Sequence, residues 1–245
     1  MFHRIKKIPQ LSFRRFEFKY HLPLAVADRL IPQVMNYMNW DESVGEKDYY
    51  EVNSLYFDSR DFKCYHEKIS GLMNRKKARI RTYSKILGPT SDIYFELKRK
   101  AGEVILKDRI IMKTKDSEKF LENPFSLCEI DEYRGNFLNE FLFEISMYQM
   151  KPVVLVSYKR KPFYSKFDKR FRVTFDYDLG FAKPNAFNFD ADYKMLHDFV
   201  IMEVKFNGAM PKWFHDIIEM YRLNKEPFSK YCAGVESVYG LPKYF

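Results

Sequence analysis

The chain has 245 residues, long enough for one large domain with a real core, and its 42 lysines and arginines against 33 aspartates and glutamates give a formal charge of +9 that calls for an acidic partner. Aromatics make up 18% of the sequence, which suits strands and their cover, and only nine glycines leave no low-complexity linker. The three cysteines, Cys64, Cys128 and Cys232, are widely spaced without a C-x-x-C pair, which excludes a disulfide framework and a structural zinc site; apolar runs such as Val153 to Val156 fall far short of a membrane span, and Met1 to Gln10 lacks a signal-peptide core, so a soluble protein of the reducing cytoplasm is expected.

Ser12 to Tyr20 predicts a first strand, and Pro23 stands where a helix starts. Apolar residues from Leu24 to Met38 follow helical spacing, with Pro32 predicting a kink or break. Tyr50 to Phe57 predicts a strand, followed by a short segment with Tyr65 and Lys68. Arg75 to Ser84 and Ile93 to Lys100 flank the turn signal Gly88-Pro89 and predict a hairpin, with Glu103 to Lys113 pairing next. Asp116 to Asn123 and Asp131 to Tyr148 read as helices, Lys151 to Tyr164 and Lys169 to Tyr177 as strands, and 180 to 198 as a loop. Phe199 to Phe206 is the last long strand, a helix runs from Pro211 to about Asn224, and the segment Pro227 to Cys232 closes the chain. Strands outnumber helices, no β-α-β alternation occurs and no domain boundary stands out, so residues 1–245 are expected to form a single domain.

A strand turns alternate side chains to opposite faces, so Arg79 and Arg81 share a face while Ile80 takes the other. Glu17-Phe18-Lys19, Glu96-Leu97-Lys98 and Glu203-Val204-Lys205 each add a carboxylate to the same arrangement. One such strand is ordinarily a solvated exterior. Repeated across the chain by Lys107, Arg109, Arg160 and Arg172, the pattern instead suits strands lining a cationic tunnel with helices outside, which would repel itself without a polyanion and metal. These residues alternate along strands rather than forming a patch with exposed aromatics, which argues against nucleic acid. No Walker A or G-x-G-x-x-G pattern is present, and the histidines have no ligand spacing.

Eight segments taken in order (Glu17-Phe18-Lys19-Tyr20; Ser54-Leu55-Tyr56-Phe57-Asp58 with Tyr65; Arg79-Ile80-Arg81; Glu96-Leu97-Lys98-Arg99-Lys100; Ser157-Tyr158-Lys159-Arg160; Arg172-Val173-Thr174-Phe175-Asp176; Glu203-Val204-Lys205; Phe228-Ser229-Lys230-Tyr231) resemble the VTC domain of polyphosphate polymerases, within the triphosphate tunnel metalloenzyme (CYTH) superfamily. The resemblance implies an α+β fold: an antiparallel eight-stranded β-barrel, the triphosphate tunnel, with helices packed outside. It implies transfer of the γ-phosphoryl group of ATP onto growing inorganic polyphosphate with manganese or magnesium.

By position, Lys19, Arg79, Arg81, Lys98, Lys107, Arg160 and Arg172 resemble the phosphate-gripping catalytic set, and Lys68, Tyr158, Lys205, Ser229 and Lys230 further substrate contacts. Glu203 resembles the metal carboxylate, with Glu17 and Glu96 as helpers or as partners of neighbouring lysines. Hydrolytic tunnel enzymes begin with E-x-E-x-K, where this chain has Arg15-Phe16-Glu17-Phe18-Lys19; the lost carboxylate favours holding a polyanion over hydrolysing it. Pro227 replaces a basic residue expected before Phe228, with Lys225 nearby as a substitute. A metal-dependent triphosphatase and a non-catalytic polyphosphate-binding module remain alternatives, and a membrane-protein partner is an expectation for a short chain of this kind.

Overall fold

The computed structural model describes residues 15–45, 47–102, 104–129, 135–185 and 188–242. Its strands are β1 (Arg15–Pro23), β2 (Met38–Trp40), β3 (Tyr50–Asp58), β4 (Arg75–Thr82), β5 (Asp92–Ala101), β6 (Val104–Lys113), β7 (Lys151–Ser165), β8 (Arg172–Ala182), β9 (Lys194–Leu196) and β10 (Phe199–Asn207). The helices are α1 (Leu24–Met35), α2 (Lys63–Ile69), α3 (Thr114–Glu122), α4 (Asn136–Met147), α5 (Lys212–Met220) and α6 (Lys230–Tyr239). All strands join one antiparallel sheet in the order β1-β10-β8-β7-β3-β4-β5-β6, with β2 on β7 and β9 on β8.

The expected closed barrel is corrected here to a curled, open sheet. Among the described residues β1 and β6 are its two ends, and no backbone pairing joins them. The outer edge of β1 is already engaged: Tyr20 bridges to Lys225, and the Glu226 amide donates to the Lys19 carbonyl. At Lys19 and Tyr20 it is the segment leading into α6, and not β6, that meets the edge of β1.

Alternation sorts the side chains. On the convex face of β1, β10 and β8, Tyr20, Leu22, Val173, Phe175, Met202 and Val204 are buried beneath Ala27, Leu30 and Val34 of α1 and Phe214 and Ile217 of α5. On β3, β4 and β5, the convex residues Leu55, Phe57, Ile80, Phe95 and Leu97 pack in a second core with Phe120 of α3 and Leu138 and Phe141 of α4. Phe95 meets Phe120 at 5.0 Å and Phe141 at 5.4 Å between ring centroids, in edge-to-face geometry that adds specificity to the burial.

Most expected elements are present with shifted ends. α1 passes through Pro32 and stops at Met35, because Met38 to Trp40 leave the helix to pair with Ser165, Tyr164 and Phe163 of β7. The segment around Tyr65 is helical: both Asp58 carboxylate oxygens are used, Oδ1 by the Ser59 and Cys64 amides and Oδ2 by the Tyr65 amide, which satisfies backbone donors where α2 begins. β8 runs on to Ala182, and β9 lies within the expected loop. The closing segment extends into α6, which packs against β7 and β8. Ser12 to Arg14 of the expected first strand, Glu103 of the sixth and Asp131 to Arg134 of the long helix lie outside the described residues. No helix among the described residues is long and apolar enough to cross a membrane.

Phe141 is fully buried at the meeting of α4 with β5. Phe141→Ala is expected to lower unfolding stability by about 3–5 kcal/mol, read as a drop in urea midpoint at unchanged slope.

Candidate functional site

The concave face of the curled sheet carries the charges. In register, Glu17 faces Lys205 and Lys19 faces Glu203 across β1 and β10; Glu203 faces Thr174, and Asp176 faces Arg160, across β10, β8 and β7. On the other side Arg79 faces Glu96 and Lys77 faces Lys98 across β4 and β5, and Lys98 and Glu96 face Lys107 and Arg109 of β6. The two sides act on each other across the trough: Lys98 holds the Glu17 proton affinity down, and Glu17 and Glu203 act on Lys98 in return.

Its centre is an ion cluster. Asp176, fully buried, accepts from Arg160 Nε at 2.6 Å and Nη2 at 2.7 Å, in the forked geometry that suits guanidinium to carboxylate. Lys230 reaches in from the first turn of α6 to Asp176 at 2.5 Å and Glu203 at 2.7 Å. Glu203 also meets Arg160 at 3.2 Å, Lys205 at 3.3 Å and Lys19 at 3.8 Å. Burial raises the Glu203 carboxyl, but Lys230, Lys205, Lys19 and Arg160 together hold it well below its ordinary range. Tyr158 lies beneath the cluster, with Lys230 Nζ 4.8 Å and Arg160 Cζ 5.2 Å from its ring centroid.

Glu96 organises a second cluster. It takes Arg79 at 2.6 Å and Lys107 at 2.5 Å, with Arg81 at 3.9 Å. Burial raises its carboxyl, and Arg79, Arg81 and Lys107 overcome this to bring it to about 2. Arg79 also donates to the Tyr56 hydroxyl at 2.8 Å and Arg81 to Ser54 at 3.3 Å, so each guanidinium is aimed by a neighbour on β3. Glu17, raised by burial and by Glu203, is brought to about 2 by Lys98, Lys19 and Lys205. Desolvation lowers Lys98 and Lys205, as it does Lys77, which sits 4.4 Å from the Tyr231 ring centroid. Ten basic side chains thus share one surface with four carboxylates: Lys19, Lys77, Arg79, Arg81, Lys98, Lys107, Arg109, Arg160, Lys205 and Lys230 against Glu17, Glu96, Asp176 and Glu203. A multiply charged anion is the ligand that such a surface suits.

α6 delivers Lys230 because the helix sits close on the sheet. A Cβ on Gly234 would lie 3.0 Å from both Phe181 and Val154, so a larger residue would press on both side chains and the close approach favours glycine. Ser229 accepts from the Cys232 amide as the N-cap of α6, which gives its hydroxyl a structural task beside the phosphate contact expected of it. Arg172 lies on the concave face opposite Lys205 but at the rim, exposed, with its guanidinium 2.7 Å from Asp41. Lys68 on α2 is lowered first by desolvation, then by the charges of Arg75, Lys77 and Lys19, which places it beside the basic field. Glu17, Glu96 and Glu203 do not converge into one three-ligand cluster; among the described residues such a group occurs only at His215, Asp216 and Glu219 on the surface of α5. Asp176, Lys77, Tyr56 and Ser54 join the site without having been singled out as site residues from the sequence. Asp176 shares the β8 alternation with Arg172, and only the register opposite Arg160 gives it a role.

The VTC domain model matches residues 14–239. The chain belongs to the VTC domain family. It is 25% identical over 226 residues to vacuolar transporter chaperone complex subunit 4 of Trypanosoma cruzi and 22% identical over 231 residues to the subunit of that name from Schizosaccharomyces pombe, matches that each cover 77% of this chain. This VTC chain spans 28% and 32% of the length of those two relatives. Among solved structures, a candidate adenylate cyclase from Bacillus halodurans aligns with a TM-score of 0.52 at 16% identity, covering 88% of this chain and 95% of its own, which shows a shared fold.

The titration of Lys107 gives the site a pH dependence. Desolvation, then Arg79 and Arg81, outweigh the pull of Glu96 and lower its ammonium to about 8. A group lowered in this way is charged below pH 8 and loses its charge above it, so polyanion binding weakens as pH rises, while folding stability gains between 8 and the unfolded value of 10.5. Tripolyphosphate affinity is expected to fall from pH 7 to 9 with a slope approaching about tenfold per pH unit above 8, and Lys107→Arg is expected to remove that step.

Proposed function

We propose that this VTC domain is a polyphosphate polymerase, moving the γ-phosphoryl group of ATP onto the end of a growing inorganic polyphosphate chain lying in the trough. The observation that carries the reading is the convergence of Lys230, Arg160, Lys205 and Lys19 on Glu203, beside a second set of cations on Glu96, all on one concave surface. The family relationship to subunit 4 of the vacuolar transporter chaperone complexes supports it.

Phosphoryl transfer makes few covalent demands on a protein; it needs the reacting oxygens held in line and the spread charge neutralised. Arg79, Arg81 and Arg160 offer forked donors already aimed by Tyr56, Ser54 and Asp176, so little reorganisation is needed when phosphate arrives. Lys19, Lys98, Lys107, Lys205 and Lys230 supply compact charge around them. Asp176 stays paired and fixes Arg160, while Glu96 fixes Arg79; both act as positioning residues.

Glu203 and Glu17 fit a hard divalent ion: both remain ionised, they sit on adjacent strands, and each is near enough for Glu203 to raise Glu17. Manganese or magnesium held there would bridge and neutralise phosphate oxygens. Glu96, enclosed by Arg79, Arg81 and Lys107, fits the role of an anchor instead. Because Glu203 is surrounded by four cations, the ion is read as entering with the polyphosphate's own charge. Mn2+ titrated alone and followed by electron paramagnetic resonance is therefore expected to bind at least about tenfold more weakly than in the presence of tripolyphosphate.

The buried thiols of Cys64 and Cys232 suit a cytoplasmic site, and the relatives' place as subunits of a vacuolar transporter chaperone complex supports a protein partner for this chain, which we take to be a membrane protein. The deciding assay incubates the purified protein with ATP and Mn2+ and resolves polyphosphate, ADP and free phosphate. Polyphosphate with matching ADP is expected, and Glu203→Gln is expected to slow it by about 10²-fold or more. Free phosphate as the main product would replace the reading with a triphosphatase, and an absence of turnover with tight polyphosphate binding would replace it with a binding module.

A further inference from the structure

One end of the trough is occupied by α6, where Lys230 enters and Tyr231 packs 5.3 Å from Tyr56. The opposite end is bordered by aromatic rings that the phosphate contacts leave unused. Tyr50 of β3 stands opposite Arg160, and Tyr94 of β5 stands opposite Arg81, so each ring lies on the concave face level with a guanidinium. Tyr83, just past the end of β4, follows Arg81 by two residues, which carries it about 7 Å further toward the opening. Its ring is gripped edge-to-face on both sides, 5.6 Å from Tyr50 and 5.3 Å from Tyr94, and remains 40% exposed. Arg109 adds a guanidinium 5.3 Å from the Tyr94 ring centroid.

A large, exposed tyrosine fixed by two neighbours is a preorganised flat surface. Beside it, Thr82, Ser84, Ser91 and Asp92 line a shallow cleft together with Tyr83 and Tyr94. Its hydroxyls and carboxylate are held locally, Thr82 by Ser84, Ser84 by the Ile86 carbonyl, Ser91 by the Gly88 amide and Asp92 by Lys113, so what the cleft offers a heteroaromatic ring is the flat face of its tyrosines. Inorganic triphosphate has no group that uses any of this, whereas a nucleotide with its phosphates inward would bring its base to the rim. We propose that the Tyr50–Tyr83–Tyr94 rim stacks the base of a nucleoside triphosphate donor and so sets the direction in which the donor enters, base at the open end and γ-phosphate toward α6. The inference rests on the reading of the trough as a site for ATP and adds which residues recognise the donor's base and which way round it enters.

The test measures dissociation constants for ATP and for tripolyphosphate, each with Mn2+, on the parent, Tyr83→Ala and Tyr83→Phe. Tyr83→Ala is expected to weaken ATP by about tenfold while changing tripolyphosphate by less than about twofold, and Tyr83→Phe is expected to keep both near the parent values. Retained tripolyphosphate affinity also shows that the variant is folded. Equal weakening of both ligands, or no change in either, overturns the stacking rim while leaving the trough intact as a phosphate site. A parent that binds neither ligand overturns the reading of the trough itself, and the rim with it.

Discussion

The arrangement depends on the pairing of Asp176 and Glu203 with Lys230 and Arg160. A surface with so many more cations than anions repels itself, and taking the charges out of water adds to the difficulty. The two carboxylates counter both effects at the point where strands from the two halves of the chain and the first turn of α6 meet. Removing either would leave the buried cations around it with too little counter-charge, and such a loss is strongly destabilising even where the intact pair adds little net stability. The cluster therefore joins folding to binding: the groups that keep the empty trough tolerable are the ones a polyanion rearranges when it enters.

The Glu96 cluster does a similar task with a different emphasis. Its three cations come from the adjacent strands β4 and β6, so it depends less on long-range assembly and more on register. Tyr56 shows the strength of the local field: burial would raise its hydroxyl, yet Arg79 and Arg81 lower it below its ordinary value. Electrostatics of this kind is preorganised by backbone hydrogen bonds, and the sheet, rather than any loop, is what holds the donors in place.

The alternation of charge in Glu17-Phe18-Lys19, Arg79-Ile80-Arg81 and Glu203-Val204-Lys205 was readable directly, because period two leaves no choice of face once one face is buried. Strand order was not, since it depends on which edges meet, and closure in particular turned on Lys225 and Glu226 reaching the edge of β1. Met38 to Trp40 continued a helical pattern and became a strand because β7 offered a partner. Ser229 and Lys230 read as a phosphate-binding pair, yet their positions differ: the hydroxyl caps a helix and the ammonium enters the ion cluster. Asp176 looked like one more polar residue of an alternating strand until the register set it opposite Arg160.

The open end of the sheet at β6 has a consequence for self-association. The outer edge of β6, ten residues long and without a strand on that side among the described residues, is a template onto which another strand could add, and Ile105, Leu106 and Ile111 would favour it. At its centre, however, stand Lys107, whose stem is open to solvent while its ammonium meets Glu96, and the exposed Asp108 and Arg109, and a second copy laid antiparallel against them would bring basic groups from both chains together. The same charges that face a polyanion on one side thus guard the edge against fibre-like growth.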